Sequence, residues 1–259
     1  MRWLATGEHE VPADDVWLAP AEAARSARYR FTKRRTEYRL RRWAGKRAVA
    51  ALAGLDPVPD RLAAIEVLNR PSGAPYVQVE GEPLGVDVSL TDRAGWAVCL
   101  IGQGVSRGSG GVGGAQVGVD LEIVEPRSDA FVDDFLTASE RHHVRRRPDR
   151  GEHDAATNLI WSAKESALKV LRTGLRADTR SVEVHLTGDA RADGWAPLEV
   201  HAARGALRLP GWWRRDGVFL LTVAYDAPAE PPQVLPATAD LSTAEPVHSW
   251  LTNPLAQEL

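Results

Sequence analysis

One stretch, Val117 to Leu175, constrains this chain more than any other. It opens with a strand-like run bearing two carboxylates, Gly118-Val119-Asp120-Leu121-Glu122, and closes with a helix-like run bearing a third acid and a lysine, Trp161-Ser162-Ala163-Lys164-Glu165-Ser166-Ala167-Leu168-Lys169. Alternate side chains of a strand share a face, so Asp120 and Glu122 project together while Val119 and Leu121 pack behind them. Residues four apart on a helix are neighbours, so Glu165 and Lys169 stand one above the other with Trp161 a turn earlier. If the helix crosses the strand, three carboxylates converge beside one ammonium. Such a group suits a hard cation and a phosphorylated substrate that completes its shell. Taken alone, either segment reads as a solvated face.

The rest of the composition narrows the setting. At 259 residues, 44% hydrophobic and 26% charged, the chain can bury a full core as one large domain or two small ones. The N-terminus runs into acids and Pro12 within a dozen residues, and no apolar run approaches membrane-spanning length, so neither a signal peptide nor a membrane segment is expected. The lone cysteine, Cys99, lies in an apolar run, excludes an internal disulfide and is read as a small core residue. A cytoplasmic location is expected.

The net charge of −3 hides a segregation. Between Arg25 and Arg47 there are eleven Lys or Arg against one acid, Glu37, which leaves 21 basic and 34 acidic residues elsewhere. A segment of this kind attracts polyanions. Tyr29, Phe31, Tyr38 and Trp43 follow no stacking motif, so nucleic acid is not the expected partner.

In chain order, Val16-Trp17-Leu18 reads as a strand closed by Pro20. From Thr36 the apolar spacing turns helical and stops at Gly54 and Pro57; Arg35, Arg39, Arg42 and Lys46 share its other face. A strand is expected at 64–68, turn chemistry at 69–75, and a hairpin over 86–101 that turns at 91–95. Residues 102–114 hold seven glycines in thirteen positions. Gly108-x-Gly110-x-x-Gly113 has dinucleotide-binding spacing, but a strand follows it where that fingerprint needs a helix, so the segment reads as a connector. Asp129 to Arg147 reads as one helix with His142 and His143 on its surface, and further strands are expected near 182–186, 198–201 and 218–225. His185 and His201 alternate with apolar residues and are expected to face solvent. From Asp226 onward there are six prolines and no Lys or Arg, which suggests an extended or disordered tail touching the body through Trp250.

A weak internal repeat is present. Trp43-Ala-Gly-Lys46-Arg47-Ala48 and Trp161-Ser-Ala-Lys164-Glu165-Ser166 share a layout at an offset of 118, and each run proceeds to Gly-Leu. The expected layout is therefore an N-terminal unit over 1–101, a connector over 102–114, a C-terminal unit over 115–226 and a tail over 227–259.

Together, Gly118-Val119-Asp120-Leu121-Glu122, Phe135-Leu136-Thr137-Ala138-Ser139-Glu140 and Trp161-Ser-x-Lys164-Glu165-Ser-x-x-Lys169 resemble the signature of the phosphopantetheinyl transferases, in particular their larger, single-chain, surfactin-type branch. The resemblance extends over most of residues 10–226. It implies an α+β fold of two similar, pseudo-twofold-related α/β halves with the active site in the cleft between them, complete as a monomer. It also implies transfer of the phosphopantetheine arm of coenzyme A to a serine of an acyl or peptidyl carrier protein. In that scheme Asp120, Glu122 and Glu165 hold Mg²⁺, Glu165 takes the serine proton, and Lys169 neutralises the leaving phosphate. The basic helix offers Arg35, Arg39 and Arg42 to the coenzyme, and Thr91 is a further candidate contact.

Two positions depart from the family's wording. Its Gly-Lys-Pro turn reads Gly73-Ala74-Pro75, and its Ser-His pair is matched to Thr91-Asp92. A charge-assisted contact contributes about 1.5–3 kcal/mol, so these changes weaken coenzyme binding unless Arg70, Arg93 or another base compensates. A second reading follows, in which a repurposed homologue that no longer transfers phosphopantetheine cyclises or otherwise processes a carrier-bound biosynthetic intermediate, with Asp92 as an acid or base, or serves as a non-catalytic accessory. A metal-dependent phosphohydrolase or nuclease would use the same acids but leaves the Trp161–Lys169 wording unexplained.

Overall fold

The computed structural model describes residues 1–103, 115–174, 177–202 and 207–247. Most of the glycine-rich connector, together with Leu175 and Trp250, lies outside the described residues.

The fold is α+β, with two main sheets. The first orders β12 (Gln233–Val234), β1 (Arg2–Gly7), β6 (Trp96–Gly102) and β5 (Asp87–Arg93). The second orders β7 (Val117–Ile123), β11 (Phe219–Tyr225), β10 (Arg208–Asp216), β9 (Ala196–Ala202) and β8 (Val182–Leu186). A small third sheet is formed by β2 (Ile65–Asn69), β3 (Pro75–Val79) and β4 (Glu82–Pro83). Two 21-residue helices dominate, α2 (Thr32–Leu52) and α6 (Arg150–Val170), with α1 (Pro20–Ala27), α3 (Pro59–Ala63), α4 (Asp129–Phe135) and α5 (Ala138–Arg145) beside them. Among the described residues, no helix is long and apolar enough to cross a membrane.

Strand alternation divides the apolar residues among three cores. Leu4, Cys99 and Ile101 turn toward Leu40, Ala44 and Ala48 of α2. From the same first-sheet strands, Trp3, Ala5, Val98 and Leu100 turn the other way, onto Val117, Val119, Leu121, Phe219, Leu221 and Val223 of the second sheet. The far side of the second sheet, with Val184, Val200 and Ala224, carries Ile160, Ala163 and Ala167 of α6. Burial pushes the Cys99 thiol up to about 12, which leaves it an inert core residue.

The two main sheets meet edge to edge through side chains. β7 presents main-chain N–H groups toward β5, and these are received by alternate β5 side chains: Val117 donates to Asp87 at 2.9 Å, Val119 to Ser89 at 3.0 Å and Leu121 to Thr91 at 3.2 Å. This junction satisfies otherwise orphaned donors and fixes the acid-bearing strand beside β5.

Several sequence expectations need correction. Val16-Trp17-Leu18 is a turn, and the first strand is Arg2–Gly7. Trp17 is buried by packing against the first core, with its ring N–H on the Asp14 carbonyl, and Pro20 opens α1 at a position where its missing N–H costs nothing. The helix expected over 129–147 is two, because Thr137 and Glu140 form a capping box that starts α5 afresh. β10 was hidden by Pro210 and Gly211; the glycine is required there, since a Cβ would come within 2.2 Å of the Val223 carbonyl oxygen. The described part of the tail is extended: β12 pairs parallel with β1, and Leu235 and Leu241 are buried.

Candidate active site

The acid pair stands on β7 and the third acid on α6, which lies across β7 and β11. On α6 the half-exposed positions Trp161, Glu165 and Lys169 recur every fourth residue, while Ser162 and Ser166 are buried against the sheet. The helical period thus delivers Glu165 and Lys169 to the rim and the serines to the floor.

Asp120 is held from three sides. Its Oδ1 accepts from Lys169 Nζ at 2.8 Å and Thr91 Oγ1 at 3.2 Å, and its Oδ2 from Ser162 Oγ at 2.9 Å. Ser162 is itself tied to Thr222 at 2.9 Å, directly opposite Asp120 on β11. Lys169 also donates to the Val119 carbonyl at 2.7 Å. Glu122 faces a different set of partners: Arg93 at 3.0 Å, Arg127 at 3.1 Å and the Trp161 ring N–H at 3.2 Å. Both arginines continue to Glu125. Glu165 keeps a buried carboxylate oxygen, Oε1, that has no hydrogen-bond partner.

Electrostatics follow from this crowding. Burial, then the charge of Asp120, pushes Glu165 up to about 7, against the opposing pull of Lys169. Burial and Asp120 likewise raise Glu122, with Arg93 and Arg127 pulling it down. Among the described residues, no group of three His, Cys, Asp or Glu is arranged to hold a metal ion, and Glu122 is turned to its arginines. The donor chemistry nonetheless fits a hard dication: three carboxylates, two of them raised in pKa by burial and by Asp120, and one with an unpartnered oxygen.

Beside this cluster opens a cavity of about 380 Å³. Arg25, Arg41, Arg42, Lys169 and Arg172 supply cations to its wall, Tyr29 and Tyr38 aromatic faces, and Ala74, Leu90 and Leu168 apolar surface. Lys169 belongs both to the cavity and to the carboxylate cluster. Arg42 is almost fully buried; it stacks over Tyr38 at 4.5 Å, and its Nε has no hydrogen-bond partner.

The sequence-derived coenzyme contacts divide. Arg42 and Lys169 line the cavity, whereas Arg35 and Arg39 line a separate cavity with Pro12, Asp15 and Ser26, where Arg39 bonds Asp15 and the Asp14 carbonyl. Thr91 bonds Asp120 and the Leu121 N–H, and the β5 residues that reach the cavity are Ser89 and Leu90. Asp92 pairs with Arg41, not with Arg93, which turns to Glu122 and Glu125. Arg70 stacks on Tyr76 and does not line the cavity. His142 and His143 are exposed, and His185 and His201 lie half-exposed on the sheet, stacked 4.2 Å apart. Sequence reasoning missed Arg25, Arg41 and Arg172 as cavity residues and Arg127 as a partner of Glu122. The charge run over 25–47 held a signal for the first two, while the other two reach their places only through tertiary folding.

Residues 116–194 match the family model of the 4′-phosphopantetheinyl transferase superfamily. The segment similar to that superfamily runs from β7 past β8 and contains Asp120, Glu122, Glu165 and Lys169. The basic helix α2 and most of the cavity's cations lie outside it. No curated protein matches the chain.

Proposed function

We propose that this chain is a 4′-phosphopantetheinyl transferase of the single-chain, surfactin-type branch, moving the phosphopantetheine arm of coenzyme A to a carrier-protein serine. The observation that carries this reading is the double position of Lys169, 2.8 Å from Asp120 and on the wall of a cavity rich in arginine and tyrosine. A nucleotide bearing several phosphates suits such a wall, and its reactive phosphate would then lie beside the carboxylates.

In the reaction the serine oxygen bonds to the pantetheine-bearing phosphorus as that phosphorus separates from the bridging oxygen, which leaves with adenosine 3′,5′-bisphosphate. Glu165, raised toward neutral pH by burial and by Asp120, is the base that takes the serine proton. Lys169 neutralises charge gathering on the departing phosphate, and Thr91 and Ser162 keep Asp120 oriented. Asp120, Glu122 and Glu165 would hold Mg²⁺, which neutralises phosphate charge when bound. Arg41, Arg42 and Arg25 supply coenzyme contacts in place of the family's missing lysine and histidine. Two similar α/β halves, with α2 in one and α6 in the other, form the cleft in this reading.

The test is incubation with coenzyme A, Mg²⁺ and several apo carrier proteins, read by intact mass. Addition of the phosphopantetheine mass by the wild type, and its loss in Glu165→Gln, is expected. No addition to any carrier, together with no measurable coenzyme A binding by calorimetry, would favour the repurposed homologue.

A further inference from the structure

Arg172 stands three residues beyond Lys169, where the chain leaves α6, with a backbone φ of +58°. Left-handed backbone is disfavoured for a side chain of this kind and natural for glycine. The backbone therefore gains nothing from an arginine at this turn, and strained positions of this sort gather at functional sites. Arg172 lines the cavity alongside Lys169. Behind it, the Arg172 guanidinium meets both oxygens of Asp87, a carboxylate fixed independently by the Val117 N–H at 2.9 Å.

We infer that Arg172 is a phosphate-binding residue, contacting a phosphoryl group next to the one neutralised by Lys169, with Asp87 as its counter-charge. The identity of the ligand as coenzyme A rests on the function proposed above; the anion chemistry rests on the cavity alone. A guanidinium backed by a fixed carboxylate keeps its direction, and Arg is suited to planar recognition of phosphate oxygens. The competing account makes the Asp87–Arg172 pair only a tie between β5 and the end of α6.

Calorimetric titration of coenzyme A and of inorganic pyrophosphate separates the two accounts, with thermal melts run beside it. Arg172→Gly, which relaxes the backbone and removes the cation, is expected to weaken both ligands by about 10- to 100-fold. Arg172→Gln, kept as the second variant in case the glycine chain does not melt cooperatively, is expected to show the same loss. Asp87→Asn retains an acceptor for Val117 and deletes the counter-charge, so it is expected to tighten binding. Unchanged affinity in the Arg172 variants overturns the inference, as does a parallel loss of affinity and melting temperature in Asp87→Asn and Arg172→Gly. A wild type that binds pyrophosphate but not coenzyme A removes the coenzyme reading, while a loss in Arg172→Gly still upholds the anion site. A wild type that binds neither overturns both.

Discussion

Lys164 Nζ lies 2.8 Å from Glu140 Oε2, with neither side chain more than 2% exposed. The same ammonium donates to the carbonyls of Thr179 and Val182, while Glu140 accepts from the Thr137 and Val184 N–H groups. At the repeat offset of 118 residues, Lys46 meets Glu22 at 2.6 Å, both wholly buried. Lys46 donates to the carbonyls of Leu62 and Ile65, and Glu22 accepts from Ala19 and Val67. Each long helix is thus pinned to the shorter helix before it and the strand after it by one saturated ion pair. Burial pulls both lysines below their usual range, and the paired glutamates oppose it.

Removing one partner strands the other charge in the interior. Lys164→Met and Lys46→Met are each expected to cost about 3–5 kcal/mol in urea unfolding, whereas Lys164→Met combined with Glu140→Leu recovers most of that loss. A single substitution costing under about 1 kcal/mol, the level of an exposed pair, would show that the pair does not organise the fold.

Gly118 sets how closely α6 approaches β7. A Cβ there would lie 1.9 Å from the Ser166 carbonyl oxygen and 3.1 Å from Val170. Gly118→Ala must push the helix outward, with an overpacking cost of about 1–3 kcal/mol. Because Ser162 and Lys169 hold Asp120 from that same helix, the variant is expected to lose turnover as well as melting temperature. A melt equal to that of the wild type would contradict the close approach.

Lys169→Ala is expected to lower the transfer rate by about 100-fold or more, with circular dichroism unchanged, because the lysine is partly exposed and Asp120 keeps the Thr91 and Ser162 hydroxyls as partners. The same change removes the cation that holds Glu165 down. The low-pH limb of the rate profile, set by Glu165, should therefore move to higher pH. A variant with full activity would remove Lys169 from the chemistry.

What the sequence made legible was local. Asp120 with Glu122, and Glu165 with Lys169, sit within one strand or one helix, so backbone periodicity alone places them. Arg42 and Lys46 were grouped with Arg35 and Arg39 on one charged face of α2, yet Lys46 is buried because its partner Glu22 lies on a different helix, which helical spacing does not reveal. A signal was present: Glu22 and Glu140 are separated by the same offset as Lys46 and Lys164. Arg172 offered no such signal. Its role depends on a backbone turn and on Asp87, and neither is visible as pattern.

The Glu10 carboxylate gives a test in pH. Burial would raise it, but the Gly7 N–H, the Thr6 hydroxyl and the Arg47 guanidinium outweigh burial and hold it below its usual value of 4.5. A carboxylate depressed in the folded state stabilises the protein above its unfolded pKa, and that contribution disappears as pH falls through the folded one. Glu10→Gln should therefore melt below the wild type at pH 7, and the gap should narrow once the pH drops under 4.5. Arg47 also reaches the Ala237 carbonyl, so the same variant loosens the strap of chain that follows β12. Proteolysis near Ala237 earlier than in the wild type at neutral pH, a difference that closes in acid, is the accompanying expectation. A gap that stays constant from pH 7 to pH 3 would mean that Glu10 contributes packing and not charge.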